Sequence, residues 1–206
     1  MKKNKRKLVL VGGGGHALSC TEVIESARTH IIIGFFDPSK HATLSECGYD
    51  YLGNDSHIQS SLNEDFDWAI GLGQTSNAKS RLEIFKILVS SGAKLPSFLA
   101  SSCLFSSGST IGQGSIVFHK SFINRGVNIG ENTIINSCSL LEHGVSIGNH
   151  CHIAPNATIL GDVTVQDECF IGAGSVLFPG VTIGSNSVIG ASMAIKKHVP
   201  SGSVIK

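Results

Sequence analysis

An α/β domain over residues 1–100, joined to an all-β solenoid over residues 101–206, is the fold class the sequence predicts. Three observations point to it. An aliphatic residue recurs every six positions through the second half, apolar runs alternate with glycine-rich and helical stretches in the first half, and the composition is globular. Apolar residues make up 41% of the chain and charged residues 15%. That balance supports a packed core, and a formal net charge of +1 gives no general attraction to nucleic acid or anionic membrane.

The chain opens with a basic run, Lys2, Lys3, Lys5, Arg6 and Lys7, read as a solvated tail. The apolar stretch behind it, residues 8–11, reads as a strand and is too short for a secretory signal; nowhere do eighteen apolar residues stand in a row. A cytoplasmic protein is therefore expected. Glycines 12–15 and His16 lead into a predicted helix over 17–28, followed by a second strand over 31–36 that ends at Asp37-Pro38. A third strand over 68–72 precedes a helix over 77–91. Alternation of this kind builds a small parallel sheet of Rossmann type. Gly12, Gly14 and Ala17 match GxGxxA directly after a strand, and Asp37 stands where a dinucleotide fold places its ribose-binding acid. A segment of about 100 residues supplies only one mononucleotide half, so NAD fits it poorly. The free N–H groups and dipole of a helix N-terminus serve any pyrophosphate, and a nucleotide-sugar suits this turn. A turn that only packs strand on helix is the alternative.

From Ile111 to Ile195 fifteen successive sixth positions are aliphatic and branched, Leu141, Ile153 and Val165 among them. Four residues after each stands a small or β-branched residue such as Ser115, Thr133 or Ala157, with Met193 the larger exception, as a tight corner requires. Glycine or asparagine often follows the aliphatic position directly (Gly112, Asn124, Gly130, Gly148), read as turn residues. A period of six fits neither helix nor lone strand but fits a solenoid of strand-plus-corner units, three to a coil of about 18 residues. Nearly five coils are expected. The six cysteines (Cys20, Cys47, Cys103, Cys138, Cys151, Cys169) lack CxxC spacing and read as free, mostly buried thiols; no metal site is expected.

Both halves together resemble the bacterial sugar O- and N-acetyltransferases of NeuD and PglD type. The match rests on residues 12–16, on Gly71-Leu-Gly73 with Arg81, and on the stretch from Asn136 through Glu142-His143 and His152 to Pro155. The resemblance implies a homotrimer of left-handed parallel β-helices that uses acetyl-CoA. It assigns His143 as general base, with Glu142 and Asn136 beside it. His152 and the Gly161 N–H fall near the thioester, while Ala173, Ala191 and Lys196 line the coenzyme groove between adjacent β-helices. Lys196 and Lys197 are suited to phosphates, although a solvated lysine pair accounts for them equally well. Gly12, Gly14, His16, Asp37 and Gly73 are assigned to the nucleotide-sugar. Histidine titrates near neutrality and can accept a proton from an attacking amine or hydroxyl. Many relatives carry an acid directly after this histidine; here Gly144 stands there, and Glu142 or a backbone carbonyl is the expected substitute. His143 and His152 are nine residues apart, half a coil, so they lie on opposite sides of one β-helix and would meet across a subunit interface. The favoured acceptor is the amino group of a UDP-linked 4-amino-6-deoxy sugar. A hydroxyl of sialic acid or a related sugar, and nucleotide-sugar binding without turnover, are the alternatives.

Overall fold

A computed structural model describes residues 5–62, 65–75 and 77–206; Lys2 and Lys3 of the basic run lie outside the described residues. The first half is a four-stranded parallel sheet formed by β1 (Arg6–Val11), β2 (His30–Phe36), β3 (Tyr51–Gly53) and β4 (Phe66–Ile70), in spatial order β3-β2-β1-β4. Helices α1 (Gly15–Ala27) and α3 (Lys79–Ser90) cover opposite faces of it, and a short α2 (Thr43–Glu46) lies between β2 and β3. β1 alternates: Leu8 and Leu10 pack toward α1, Val9 and Val11 toward α3. That two-sided burial is why the run reads as continuously apolar. β3 and α2 were not expected, being too short to show a period. β4 ends at Ile70, earlier than residue 72, because the chain leaves the sheet at Gly71, where a Cβ would sit 2.7 Å from the Ala17 Cβ of α1. The strand order reverses between β1 and β4. The crevice between the loops that follow those two strands is thus the topological switch point, where open α/β sheets bind ligands.

The second half is the expected solenoid. Two-residue strands recur every six residues and stack in parallel on three faces: seven strands from Phe98–Leu99 to Val204–Ile205, six from Leu104–Phe105 to Ala194–Ile195, and five from Thr110–Ile111 to Thr182–Ile183. The strands up to Val176–Leu177 each pair with the one 18 residues on, as in Ile134↔His152 and Leu140↔Thr158, and the last coil is shorter, Val188 pairing with Val204. The coils extend past the predicted repeat at both ends. The second residue of each strand points inward, and Ile135, Leu141, Ile153, Ile159 and Ile171 are fully buried in one continuous core. Small corner residues carry hydrogen bonds as well as fitting the space: Ser115 Oγ donates to the Gly130 carbonyl at 2.7 Å and accepts from the Thr133 N–H at 2.8 Å.

The glycines that directly follow the aliphatic positions play a different part from the one expected. Positive φ falls two residues further on, at Gly144, Asn132, His150 and Asp162 among others. At Gly130 and Gly172 it is the neighbouring coil that forbids a side chain, since a Cβ would lie 2.6 Å and 2.4 Å from the backbone carbons of Gly148 and Gly190. All six cysteines are free; Cys20, Cys151 and Cys169 are buried, Cys47 and Cys138 exposed.

The first residues of the strands on the first face point outward. Phe98, Ile116 and Ile134 are buried there beneath α1, which joins the two halves in one apolar cluster. Arg81 of α3 adds a polar strut. Its buried guanidinium donates to the carbonyls of Ile70 (2.7 Å) and Leu72 (2.9 Å) in the first half and reaches those of Gly114 and Asn132 in the second. Burial lowers its pKa to about 10, so it stays charged at neutral pH. Among the described residues no helix is long and apolar enough to cross a membrane.

Candidate active site

The expected site residues gather in two places. The first is the switch-point crevice where the α/β domain meets the first face. Gly12, at φ +100°, turns the chain after β1, and a Cβ there would come within 2.9 Å of Leu72. Gly14 caps α1, and a Cβ there would meet nothing within 4 Å, so the helix N-terminus stays open. His16 follows in the first turn of α1, and Gly73, from the loop after β4, lies against it, a Cβ there falling 3.4 Å from the His16 ring carbon Cγ. The His16 ring is 5.6 Å from Phe118 and 6.3 Å from His152, between ring centroids.

His152 takes the outward position next after Ile134 on the first face and is nearly buried. Its Nδ1 donates to the Gln74 carbonyl, and its Nε2 accepts from Asn136 Nδ2 at 3.1 Å. That pairing fixes a neutral imidazole. Burial, aided by the Arg81 charge, lowers the pKa of His152 to about 4 and that of His16 to about 3. Asn136, expected beside His143, is instead tied to His152, because its position after Ile134-Ile135 puts it at the edge of the first face. Asp37 lies at the same turn: its carboxylate oxygens accept from the N–H groups of Gly13 and Ser39, both at 2.8 Å, and so shape the glycine-rich turn. Among the described residues His16 Nε2 and both polar atoms of the Gln74 carboxamide are buried without partners. Buried polar atoms in that condition cost about 1–3 kcal/mol each until a ligand or water meets them.

The second place is the corner between the second and third faces. Successive coils stack Arg125, His143, Gly161 and Pro179 there at 18-residue steps. His143 is exposed and its ring lies on Gly161, where a Cβ would come 2.7 Å from Cε1 and 2.9 Å from Nε2. Among the described residues the Gly161 N–H has no hydrogen-bond partner. Glu142, expected to steady the imidazole, accepts from Asn124 Nδ2 at 2.6 Å and thus faces the preceding coil. The carboxylate near the ring belongs to Asp162, whose Oδ1 is 4.0 Å from His143 Nδ1. Asp162 was not among the expected residues, although its place 18 positions after Gly144 marks it as a neighbour on the stack. Further along the same corner Pro179, Gly180, Val181, Lys196, Lys197 and His198 line a groove of about 490 Å³. Lys196 Nζ lies 5.1 Å from the centre of the Phe178 ring.

Ala173 and Ala191 occupy a different corner, between the first and second faces, where both are exposed. The expected coenzyme-lining residues are therefore split over two edges of one β-helix. His143 likewise lies on a different side of the β-helix from His16 and His152. No group of three or more His, Cys, Asp or Glu among the described residues is placed to hold a metal ion.

Residues 7–88 match the family model of the PglD N-terminal domain. Residues 144–179 match that of the bacterial transferase hexapeptide, and residues 125–160 and 162–197 match the hexapeptide repeat of succinyl-transferase. No curated protein matches the chain by sequence. Among solved structures, the acetyltransferase domain of PglB from Neisseria gonorrhoeae, determined also with acetyl-CoA, is 27% identical with a TM-score of 0.89; the alignment covers 97% of this chain and 96% of that one. PerB from Caulobacter crescentus, solved with CoA and GDP-perosamine, shares the fold at 24% identity and a TM-score of 0.87, over 96% of this chain and 92% of its own. WeeI from Acinetobacter baumannii does so at 20% identity and a TM-score of 0.83, over 98% and 97%. The chain thus joins a PglD-type N-terminal domain to transferase hexapeptide repeats, and over nearly its whole length it is similar to the PglB acetyltransferase domain.

Proposed function

We propose that this chain transfers an acetyl group from acetyl-CoA to the amino group of a UDP-linked 4-amino-6-deoxy sugar, with His143 as general base. The observation that carries the reading is the His143 imidazole seated on Gly161 at an open corner, with a groove bearing two lysines further along the same stack. The likeness to the PglB acetyltransferase domain over nearly the whole chain supports the reaction class. Bound acetyl-CoA supplies an acetyl group activated as a thioester. His143 Nε2 takes the proton of the acceptor nitrogen as that nitrogen bonds to the acetyl carbon and the thiolate departs. The Gly161 N–H, without a partner among the described residues, is a donor for the carbonyl oxygen as charge develops on it. Lys196 and Lys197 suit the coenzyme phosphates. The acceptor belongs at the switch-point crevice, where the open N-terminus of α1 suits a pyrophosphate and His16 and Gln74 hold buried polar atoms without partners.

Because His143 and the His16–His152 cluster lie on different sides of one β-helix, the proposal includes a homotrimer in which neighbouring subunits complete each site. The same offset suits a groove lined by Gly161 from one subunit and by Ala173 and Ala191 from another. The test is release of free CoA from acetyl-CoA, with UDP-4-amino-4,6-dideoxy-N-acetylglucosamine and CMP-sialic acid as separate acceptors. Turnover with the amino sugar alone, abolished in His143→Ala, is expected. Turnover with the sialic acid moves the assignment to O-acetylation, and acceptor binding without CoA release moves it to a binding protein. Oligomers mixed from His143→Ala and His152→Ala subunits should regain activity that neither parent has; no gain removes the shared site.

A further inference from the structure

We infer that Asp162 is the positioning residue of His143, a carboxylate that holds the imidazole from the next coil; this rests on the proposed acetyl transfer with His143 as base. The coil repeat seats residues 142–144 directly on residues 160–162, and the Asp162 N–H donates to the His143 carbonyl at 3.0 Å. The two side chains then emerge on the same edge, with Oδ1 of Asp162 4.0 Å from Nδ1 of His143. Three facts make this more than a chance surface approach. The neighbouring carboxylate of Glu142 is engaged by Asn124 in the preceding coil. A Cβ on Gly144 would fall 2.1 Å from Asp162 Oδ1, so the carboxylate fills the space beside the ring that residue 144 leaves open. Gly144 and Asp162 both hold positive φ, +69° and +59°, a conformation that glycine, asparagine and aspartate adopt with least strain. Glycine at 144 and aspartate at 162 are two halves of one arrangement.

A shift of about 1 Å brings Nδ1 within hydrogen-bond reach of Oδ1, and catalytic hydrogen bonds commonly tighten only when substrate binds. With Nδ1–H directed at the carboxylate, the Nε2 lone pair is the one presented to the acceptor, and the imidazolium formed by proton transfer has a counter-charge beside it. The other charged groups at this corner are Arg125, exposed at the equivalent place in the preceding coil, and Glu142.

The experiment measures kcat and KM for wild type, Asp162→Asn, Asp162→Gly, and the double variant Gly144→Asp/Asp162→Gly, with thermal melts to check folding. The single variants should lose about tenfold or more in kcat with acceptor KM little changed. The double variant, which returns a carboxylate from the other side of the same gap, should recover most of the rate. An active wild type whose Asp162→Asn variant keeps its kcat overturns the inference and leaves the acetyl-transfer reading standing. Lost rate with no recovery in the double variant also overturns it, assigning Asp162 to structure. A wild type that releases no CoA with any acceptor defeats the underlying reading instead.

Discussion

His143 keeps its orientation because residue 161 has no side chain. An alanine Cβ at that position would stand 2.7–2.9 Å from the ring, closer than real contacts allow, and since the ring is exposed it would swing outward at little cost to folding. Gly161→Ala should therefore lower kcat by about tenfold or more, as small misplacements of catalytic groups do, while leaving the melting temperature within a few degrees of wild type. A wild-type kcat in that variant would show that the ring need not lie where it does. Residue identity at this corner was legible only in part. His143, Glu142 and Gly161 were named from the motif, and the structure brings His143 and Gly161 together, but Glu142 turns to Asn124 and the facing carboxylate is Asp162. Reading along the chain ranks positions 142 and 144 as neighbours of 143. The stacking ranks 161 and 162 with them, at 18 residues' distance.

Elements of two residues cannot be stable alone, and here each strand is held by the coil on either side. The inward residue is what makes that work. Ile153, fully buried between Ile135 and Ile171 on the first face, should cost about 3 kcal/mol when changed to alanine, read as a lowered denaturation midpoint with little change in slope. A loss under about 1 kcal/mol would mean that the column relaxes to fill the gap. The same face explains why the α/β domain docks where it does. Its outward positions Phe98, Ile116 and Ile134 are apolar and lie under α1, and the run changes to His152 where the Gln74 loop takes over from the helix. Arg81 fastens this junction by meeting carbonyls of both halves. The period of six revealed the inward column at once. The outward one is harder to see, because its apolar residues stand 18 apart and are interrupted by His152.

Across the whole molecule, titration of buried groups should set the response to acid. His16 and His152 are held neutral, with pKa values of about 3 and 4 against 6.5 for a free histidine. The unfolded chain then binds more protons than the folded one below that value, so stability falls as pH drops from about 6.5 toward 4. For His152 alone the loss over this window is on the order of 3 kcal/mol. His152→Gln should flatten the dependence of melting temperature on pH between 6.5 and 4; an unchanged slope would show that His152 charges without disturbing the fold. Asp67 acts lower on the scale. Burial raises its pKa, but hydrogen bonds from Arg6 (2.6 and 2.8 Å) and His30 (2.8 Å) outweigh that and leave it below the ordinary value. Its contribution is kept above the unfolded carboxylate pKa and lost as pH falls through the depressed one.

The sequence by itself determined the two-part architecture, the six-residue period, the inward column and the glycine-rich turn after β1. These are local or strictly periodic features, written in residues close together or evenly spaced. Only the tertiary structure decided which side chains meet. It placed Asn136 and Gln74 on His152, Asp37 on the glycine turn, Glu142 on Asn124 and Asp162 beside His143. It also showed that the glycines after the aliphatic positions are required by the neighbouring coil and not by their own φ. The physical reason is the same in each case. In a solenoid the decisive neighbours are a full coil away, and at a domain junction they come from a separate part of the chain, so side-chain partners depend on stacking and docking that no local pattern records.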